Sequence, residues 1–440
     1  MPTQPSDTTL KLDTDRARAR FGALVWVVFA CVIAITVLSK KQLSDRSVTP
    51  EYHRAAIEWW HSEPLYTSGV HGFLYLPQAA LVYTPFALMP AALEEISWRF
   101  VGIALYAVGI WALCRRFAAG PAAATGTSTR VLGPPGGAFL LASVLGIFAA
   151  MGSAQNGQTN LHMGGLFALG AAATIDRRWW LATLWLLLAL ALKPTALVMI
   201  LLFGGVWLPS MSWRLAIGLV IFLLVPFAHP HVGYVGEQYH DFKEKVLRAA
   251  APPDLFQDIR GLLESCRIHL SERVLTGIRA GAALGTFGLC VLAALRFPRA
   301  VVGMFTLTLG AIYLMLFNPR TEGVSYAILG PAAALWATRE VVARRWALAA
   351  PLIAFCLILQ FSRVISGGSN YWVRPLSTLA FAALVCTEIL RSRTGWTRVQ
   401  DRCGACGYSL AGLTGALCPE CETPIPPRSR ETPELPPPVS

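Results

Sequence analysis

Charge is scarce in this 440-residue chain, in which only 14% of the residues are Asp, Glu, Lys or Arg and 55% are hydrophobic. A soluble protein of ordinary composition carries roughly 25% charged residues. The deficit comes from many apolar runs, and about 20 such residues are enough to span the hydrocarbon of a bilayer. The composition therefore excludes an ordinary soluble domain and predicts a polytopic membrane protein.

Several sequence signatures are also missing. There is no Gly-rich phosphate loop and no pair of aspartates in an inner loop, so no nucleotide cofactor and no catalytic divalent metal are expected. The apolar run Phe21–Leu38 ends in "SKKQ" without a small-x-small cleavage site, which favours a retained first transmembrane helix over a signal peptide. The net charge of +12 comes from arginine clusters between apolar runs, a pattern typical of cytoplasmic loops rather than of nucleic-acid binding.

These arginine clusters predict the orientation of the chain in the membrane. Residues 1–20 form a cytoplasmic N-terminal segment, and residues 21–395 form the transmembrane domain, with outer loops at 40–95 and 229–275. If 181–208 consists of two short helices that meet at Lys193–Pro194, there are 12 passes and both ends are cytoplasmic. A single pass there would give 11 and place the tail outside. Phe73–Met89 contains two prolines, which break helix interiors, and is predicted to be a surface or re-entrant element.

The tail contains two Cys-x2-Cys pairs separated by 11 residues, the first formed by Cys403 and Cys406 and the second by Cys418 and Cys421. Four thiolates at this spacing can close one tetrahedral zinc site, which supplies the folding energy that so short a segment lacks. The alternative, two disulfides, is disfavoured in the cytosol. We predict a zinc ribbon at 402–425 with a structural role or a cytosolic protein partner, and a disordered tail at 426–440. The predicted fold class is thus an all-α polytopic membrane protein of about 12 transmembrane or half-membrane helices plus this small ribbon.

Uncommon polar residues gather on the predicted outer side. The uncharged stretch "QNGQTN" at 155–160 lies between two apolar runs, and Lys193, Arg320 and Glu322 lie at predicted helix ends. Ionisable groups at membrane depth are costly and indicate function by default. Their common side predicts one shared site.

The sequence resembles glycosyltransferase family 87, bacterial multi-pass enzymes of the GT-C class, in four places between residues 50 and about 340. These are "AAIEWWHSEPLYTSGVHGFLYLPQAALVYTPFALMP", "NGQTNLHMGGLFALGAA", "LALALKPTALVMILL" and "NPRTEGVSYAILGPA". The residues that match the family's patterns are Tyr75, Pro77, Pro85, Pro90, Gly157, Gln158, Asn160, Lys193 and Pro194. The zinc tail is not part of the family core and is predicted to be an appended module.

The resemblance implies an inverting transfer of a hexose, typically mannose, from a polyprenyl-phosphate carrier to a lipid, glycan or protein hydroxyl. Such an enzyme acts at the extracytoplasmic face of the bacterial cytoplasmic membrane. Gln158 and Asn160 are the sugar-side candidates, and Lys193 and Arg320 are the phosphate-side candidates. His53 and Arg54 are further candidates for the carrier phosphate, although solvation at the surface is the simpler interpretation. Tyr75 is interpreted as a packing or interface residue.

The catalytic base is the point at which the chain departs from the family. The family usually has an Asp about five or six residues before an alanine pair, which here is Ala55–Ala56, and Thr49 or Pro50 occupies the expected place. The nearest carboxylate is Glu51, followed by Asp45, and Glu322 is a more distant alternative. Two other classes remain open. A transporter or lipid flippase would use broken helices such as the one at Lys193–Pro194, and an inactive scaffold would only present the ribbon.

Overall fold

A computed structural model describes residues 7–39, 47–67, 72–118, 132–249, 256–366 and 371–391, together with Leu417 and Pro419. No β-strand forms in the described part of the chain. The α-helices are α1 Asp7–Ser39, α2 Thr49–His61, α3 Pro77–Ala87, α4 Ala91–Phe117, α5 Pro135–Asn156, α6 Asn160–Ile175, α7 Trp179–Leu192, α8 Leu197–Val206, α9 Leu208–Leu224, α10 Val232–Ala249, α11 Ile259–Ser265, α12 Glu272–Arg296, α13 Arg299–Phe317, α14 Gly330–Val342, α15 Trp346–Ser366 and α16 Val373–Leu390.

Three of the sequence predictions fall outside the described residues. One is the second base candidate, Asp45, and another is the disordered tail at 426–440. The third is the zinc ribbon, whose four predicted metal ligands are Cys403, Cys406, Cys418 and Cys421. The structure therefore places neither the alternative base nor the metal site, and both stay predictions from the sequence.

Within the described residues, eight helical segments are long and apolar enough to cross a membrane. The chain is therefore an all-α, multi-pass membrane protein, as the composition predicts. The other four predicted passes correspond to the shorter helices α6, α7, α8 and α14. The total of twelve passes stays a prediction, because 10 to 16 residues of helix do not by themselves span a bilayer.

Successive membrane-spanning helices, whether long or short, run in opposite directions between the two ends of the bundle. We call the end with Gln158, Lys193 and Glu322 the site end, and the end with Arg116, Arg339 and Arg345 the arginine end. Asp15 of α1 accepts hydrogen bonds from the first residues of α5, and Glu388 of α16 pairs with Arg339. Both termini of the described bundle thus lie at the arginine end, which agrees with an even number of passes.

The predicted break at Lys193–Pro194 is confirmed. α7 ends at Leu192, Lys193 is extended with φ −160° and ψ 130°, and a 3-10 turn at Pro194–Ala196 leads into α8. Proline has no N–H to continue the helix, and the residue before it favours extended backbone. The break leaves Lys193 at a helix end, where its side chain is free to turn toward α6.

Two of the predicted outer segments contain helices. α3 includes Pro85 in its interior and ends only at Ala87, so this proline does not end the helix at once. α10 and α11 lie within the predicted outer loop 229–275. α2 and α10 have apolar residues on one face and charged residues on the other, the pattern of helices that lie along a surface.

α6 forms the centre of the bundle, and all of its residues from Asn160 to Thr174 are buried. A Cβ atom at Gly165 would lie 2.4 Å from the backbone of Leu105 in α4. Small residues at such contacts let two membrane helices approach closely, which maximises their van der Waals packing. This packing fixes the start of α6, and therefore Asn160, relative to α4.

Candidate active site

The turn 155–160 is held by its own backbone and by Ser153. α5 ends at Asn156, and the next residue, Gly157, has a φ of +67°, which lies in the left-handed region that favours glycine. The N–H of Gln158 donates to the Ser153 carbonyl at 3.0 Å, and the N–H of Leu161 donates to Ser153 Oγ at 3.1 Å. With the backbone satisfied in this way, the side chains of Gln158 and Asn160 are free to bind other groups.

Those side chains form a continuous chain of hydrogen bonds across three segments. Gln158 Nε2 donates to Glu322 Oε2 at 2.9 Å, and Asn160 Nδ2 donates to Gln158 Oε1 at 2.6 Å. Lys193 Nζ donates to Asn160 Oδ1 at 3.2 Å, and Ser325 Oγ lies 3.4 Å from Asn160 Nδ2. The structure thus brings together four residues that the sequence predicts to share a site, and it adds Ser325.

The two cations of this cluster form no direct ion pair, although the Glu322 carboxylate lies in the same cluster. Among the described residues, neither Lys193 nor Arg320 forms an ion pair, and Arg320 Nη1 is buried without a hydrogen-bond partner. The Arg320 guanidinium lies 5.6 Å from the ring of Phe256. Partly desolvated cations that are not held in a direct ion pair are favourably placed to bind an anion.

Tyr75, which the sequence suggests is a packing residue, joins this cluster to α2. Its hydroxyl lies 3.1 Å from that of Tyr52, and the two rings pack edge to face at 5.3 Å. Burial raises the pKa of the Tyr75 phenol, Glu322 raises it further, and Arg320 opposes the shift. The phenol therefore keeps its proton at neutral pH and can donate a hydrogen bond.

The other predicted residues on α2 make a separate set of contacts. Arg54 binds Glu51 at 2.8 Å and Glu58 at 2.7 Å, as residues three and four apart on a helix do. His53 Nδ1 lies 3.0 Å from Glu94. None of these side chains bonds directly to the Gln158 cluster within the described residues. Glu51 precedes Tyr52, whose hydroxyl meets Tyr75, and its side chain is 44% exposed.

The structure also reveals a charged group at the start of α4 that the sequence analysis misses. Glu94 and Arg99 are buried, and Arg99 binds the neighbouring Glu95, which accepts hydrogen bonds from Ser47 and Thr49. The available signal is two acidic residues and an arginine within the first turns of an apolar helix, where uncompensated charge is costly.

The segment that carries Arg320 and Glu322 is supported from α16. Gln257 donates its N–H to the Thr321 carbonyl at 2.8 Å and accepts from Arg374 Nη1 at 2.5 Å. A Cβ atom at Gly323 would lie 2.1 Å from Arg374 Nη1, so a side chain there would displace the Arg374 guanidinium. The position of Glu322 is thus set by packing that involves α16.

The site therefore offers amide, hydroxyl and ammonium groups rather than a cluster of carboxylates. In the part of the chain that the structure describes, no three His, Cys, Asp or Glu side chains converge to hold a metal ion. Neutral donors and acceptors bind hydroxyl groups without a large desolvation penalty, and the two cations suit a bound anion. The arrangement fits a ligand that carries both, such as a sugar phosphate.

Comparison with known families agrees with this arrangement. The sequence profile of glycosyltransferase family 87 matches residues 73–319, which is more than half of the chain and includes Gln158 and Lys193. A search of curated proteins finds no match. With its apolar helical bundle, the chain belongs to glycosyltransferase family 87 and is a multi-pass membrane glycosyltransferase.

Proposed function

We propose that the protein transfers a hexose, with mannose the first sugar to test, from a polyprenyl-phosphate carrier to a lipid, glycan or protein hydroxyl, inverting the anomeric carbon. The observation that carries this proposal is the hydrogen-bonded chain from Lys193 through Asn160 and Gln158 to Glu322. Its amide groups and its cations suit the two halves of such a donor.

Gln158, Asn160 and Glu322 are the sugar side of the proposed site. Their polar atoms already bind one another at 2.6 to 2.9 Å, so their relative positions are fixed before a ligand arrives. A sugar hydroxyl can replace one of these internal bonds and both donate and accept, so that no buried polar group is left unpaired. Glu322 accepts only, which favours a hydroxyl donor beside it.

Lys193 and Arg320 are the phosphate side. Negative charge grows on the leaving phosphate as the bond to the anomeric carbon breaks, and fixed cations stabilise that charge without reorganising. An apolar groove of about 360 Å³ between α3, α7 and α9 extends to Ala191, two residues before Lys193. Ile221 in this groove is 57% exposed, as a lipid-facing residue would be. We assign the groove to the isoprenoid chain of the donor.

Glu51 is the proposed general base, with Asp45 as the alternative. The acceptor oxygen attacks the anomeric carbon, its proton moves to the Glu51 carboxylate, and the phosphate leaves with the bonding electrons. Arg54 is held by Glu58 through two hydrogen bonds of 2.7 Å, so Glu51 can release Arg54 without leaving it unpaired. A positioned base of this kind contributes roughly 10²–10⁴-fold to the rate.

The test uses the full chain, purified and reconstituted in lipid nanodiscs, with radiolabelled polyprenyl-phosphate mannose and a bacterial lipid extract as the acceptor. We expect a labelled product with wild-type protein and a loss of roughly 10²–10⁴-fold in kcat for Glu51→Gln. Substituting other polyprenyl-phosphate hexoses for mannose identifies the sugar.

Glu58→Gln is the matched control, because Glu58 is the other carboxylate that binds Arg54. This variant should retain activity within about threefold, because the amide oxygen of glutamine still accepts a hydrogen bond from Arg54 and a partly exposed ion pair contributes little. If Glu51→Gln and Asp45→Asn both keep full activity, the assignment of the base is wrong. If no polyprenyl-phosphate sugar is consumed by the wild-type protein, the donor assignment is wrong.

A further inference from the structure

The mechanism above leaves Glu95 and Arg99 unused, although they are an expensive feature of the fold. The Arg99 side chain is 1% exposed and the Glu95 side chain 24%, and the two residues form an ion pair within the first turns of α4. Desolvating a charge pair costs several kcal/mol per ion unless further hydrogen bonds satisfy both groups. Those further hydrogen bonds show what the pair holds.

The first segment that the pair holds is the start of α2. Glu95 accepts a hydrogen bond from Thr49, the first residue of α2, and another from Ser47 Oγ at 3.2 Å. Ser47 Oγ also accepts a hydrogen bond from Arg99 Nη2 at 3.0 Å. These contacts fix the helix end two residues before Glu51.

The second segment is the turn that precedes the sugar-side residues. Arg99 Nη2 donates to the Gln155 carbonyl at 3.0 Å, and Trp98 Nε1 donates to the Gly157 carbonyl at 2.8 Å. A Cβ atom at Gly157 would lie 2.8 Å from Thr49 Cγ2 and 3.0 Å from Arg99 Nη2, so the turn packs directly against both partners. Gln158 is the next residue.

The two segments also meet each other, since the N–H of Val48 donates to the Asn156 carbonyl at 3.1 Å. They are more than one hundred positions apart in the sequence. The ion pair is thus a brace between the element that carries the proposed base and the turn that carries the proposed sugar ligands. The hydroxyl groups of Ser47 and Thr49 hydrogen-bond to the ion pair, and because hydrogen bonds depend on angle as well as distance, they fix the orientation of α2.

We propose that Glu95 and Arg99 are positioning residues that set the distance between Glu51 and the Gln158–Asn160 turn. The inference rests on the proposed function and extends it to residues that touch neither substrate. A shift of about 1 Å in reacting groups can lower a rate by about 10²-fold, so loosening the brace should reduce kcat more than it alters donor binding.

α4 offers a matched control at its opposite end. There Arg116 of α4 pairs with Asp176, the residue that follows α6, at the end of the bundle opposite to α2. Glu95→Gln and Asp176→Asn each neutralise one carboxylate that binds an arginine of α4. We expect Glu95→Gln to lower kcat by roughly 10–10²-fold with the KM for the donor within about threefold, and Asp176→Asn to keep kcat within about twofold.

A second readout does not depend on activity. Spin labels attached through a genetically encoded keto amino acid at His61, on α2, and at the exposed Val144, on α5, report how these helices are placed. Pulsed EPR should show one narrow distance distribution in the wild type and in Asp176→Asn, and a broader one in Glu95→Gln. If Glu95→Gln does not yield folded protein, Thr49→Val removes one hydroxyl from the brace and keeps the ion pair. It should lower kcat by about threefold to tenfold with the same broadening.

The proposal is overturned if the loss of kcat in Glu95→Gln, or in Thr49→Val where that variant stands in for it, does not exceed that in Asp176→Asn, or if the label distances do not change. Wild-type protein that transfers no sugar would instead overturn the proposed function. In that case the EPR distributions alone decide whether the brace holds α2 against the turn.

Discussion

Charged side chains are paired differently at the arginine end and in the Gln158 cluster of the site end. At the arginine end, Arg339 binds Glu340 at 2.6 Å and Glu388 at 3.0 Å, and Arg345 binds Glu340 at 2.7 Å. Two cations and two anions thus neutralise each other. At the site end, Lys193 and Arg320 form no ion pair within the described residues, and the neighbouring Glu322 binds an amide instead.

This difference distinguishes charged residues that stabilise the fold from charged residues that are placed to bind a ligand. A buried charge with an internal partner stabilises the packing of the helices around it, and removing one member leaves the other uncompensated. A partly buried cation without a partner costs stability in the free protein, and that cost is recovered when an anion binds. The arginine end therefore has the charge pairing of a structural contact, and the Gln158 cluster has cations that suit an anion.

The largest expected effects come from removing one cation at each end. Arg339→Met removes one partner of Glu340 and one of Glu388, and breaking such a buried pair costs about 3–5 kcal/mol. We expect little folded protein, or a marked fall in the thermal midpoint measured in detergent.

Lys193→Met should fold normally but lose roughly 10²–10³-fold in kcat/KM, because it removes one group that stabilises the leaving phosphate.

The contrast would fail if the two substitutions behaved alike. If Lys193→Met lowered the thermal midpoint as much as Arg339→Met, Lys193 would be a structural residue and the site end would not be an anion site. If Arg339→Met retained wild-type stability, the ion pairs at the arginine end would not contribute to the stability of the fold.

Much of the site end could be predicted because its signals are local. The Lys-Pro pair favours a break in the helix, and a short uncharged polar run between apolar helices indicates a turn that joins them. Placing Gln158, Lys193 and Glu322 on one side then requires only that passes alternate. The structure agrees with each of these steps.

The brace and the α2 contacts could not be predicted in the same way. The partners of Glu95 and Arg99 lie about 50 residues away in the sequence on either side, and a pattern of apolar residues carries no information about such pairs. The register of α2 is set by Pro50 in its first turn, and the i,i+3 spacing turns Glu51 toward Arg54. The sequence alone does not show whether the Glu51 side chain pairs with Arg54 or faces the Gln158 cluster.

Tyr75→Phe tests whether the Tyr75 hydroxyl belongs to the site, and its expected effect on kcat/KM is smaller than that of Lys193→Met. The change removes one hydroxyl that bonds to Tyr52 and lies near Glu322, and keeps the packing of the ring. A hydrogen bond of this kind contributes about 1–1.5 kcal/mol, so kcat/KM should fall about tenfold in the transfer assay.

The control for this prediction is Tyr106→Phe, because the Tyr106 hydroxyl is buried in α4 without a hydrogen-bond partner among the described residues. Removing this hydroxyl should leave kcat/KM in the transfer assay within about twofold of the wild-type value. Equal losses in both variants would mean that Tyr75 acts through packing alone, as its sequence context suggests.

The smallest expected effect concerns Asp258, a site-end carboxylate that caps α11 by accepting from the N–H of Gly261 at 3.0 Å. Burial raises the pKa of Asp258 from 3.8 to about 6, although the Gly261 N–H, Arg279 and Arg260 oppose the shift. Because the folded state holds this proton more tightly than the unfolded state, the contribution of Asp258 to stability falls as the pH rises from about 4 to about 6.

Asp258→Asn keeps the cap, since asparagine is as good an N-cap as aspartate, and removes the charge. Thermal unfolding in detergent at about pH 7.5 should therefore show a midpoint about 1–2 °C above the wild type, while the two proteins should unfold together near pH 4. A lower midpoint for Asp258→Asn at the higher pH would mean that Arg279 and Arg260 outweigh burial. Asp258 would then be compensated by nearby arginines, as Glu340 and Glu388 are at the arginine end, and the difference between the two ends would rest on Lys193 and Arg320 alone.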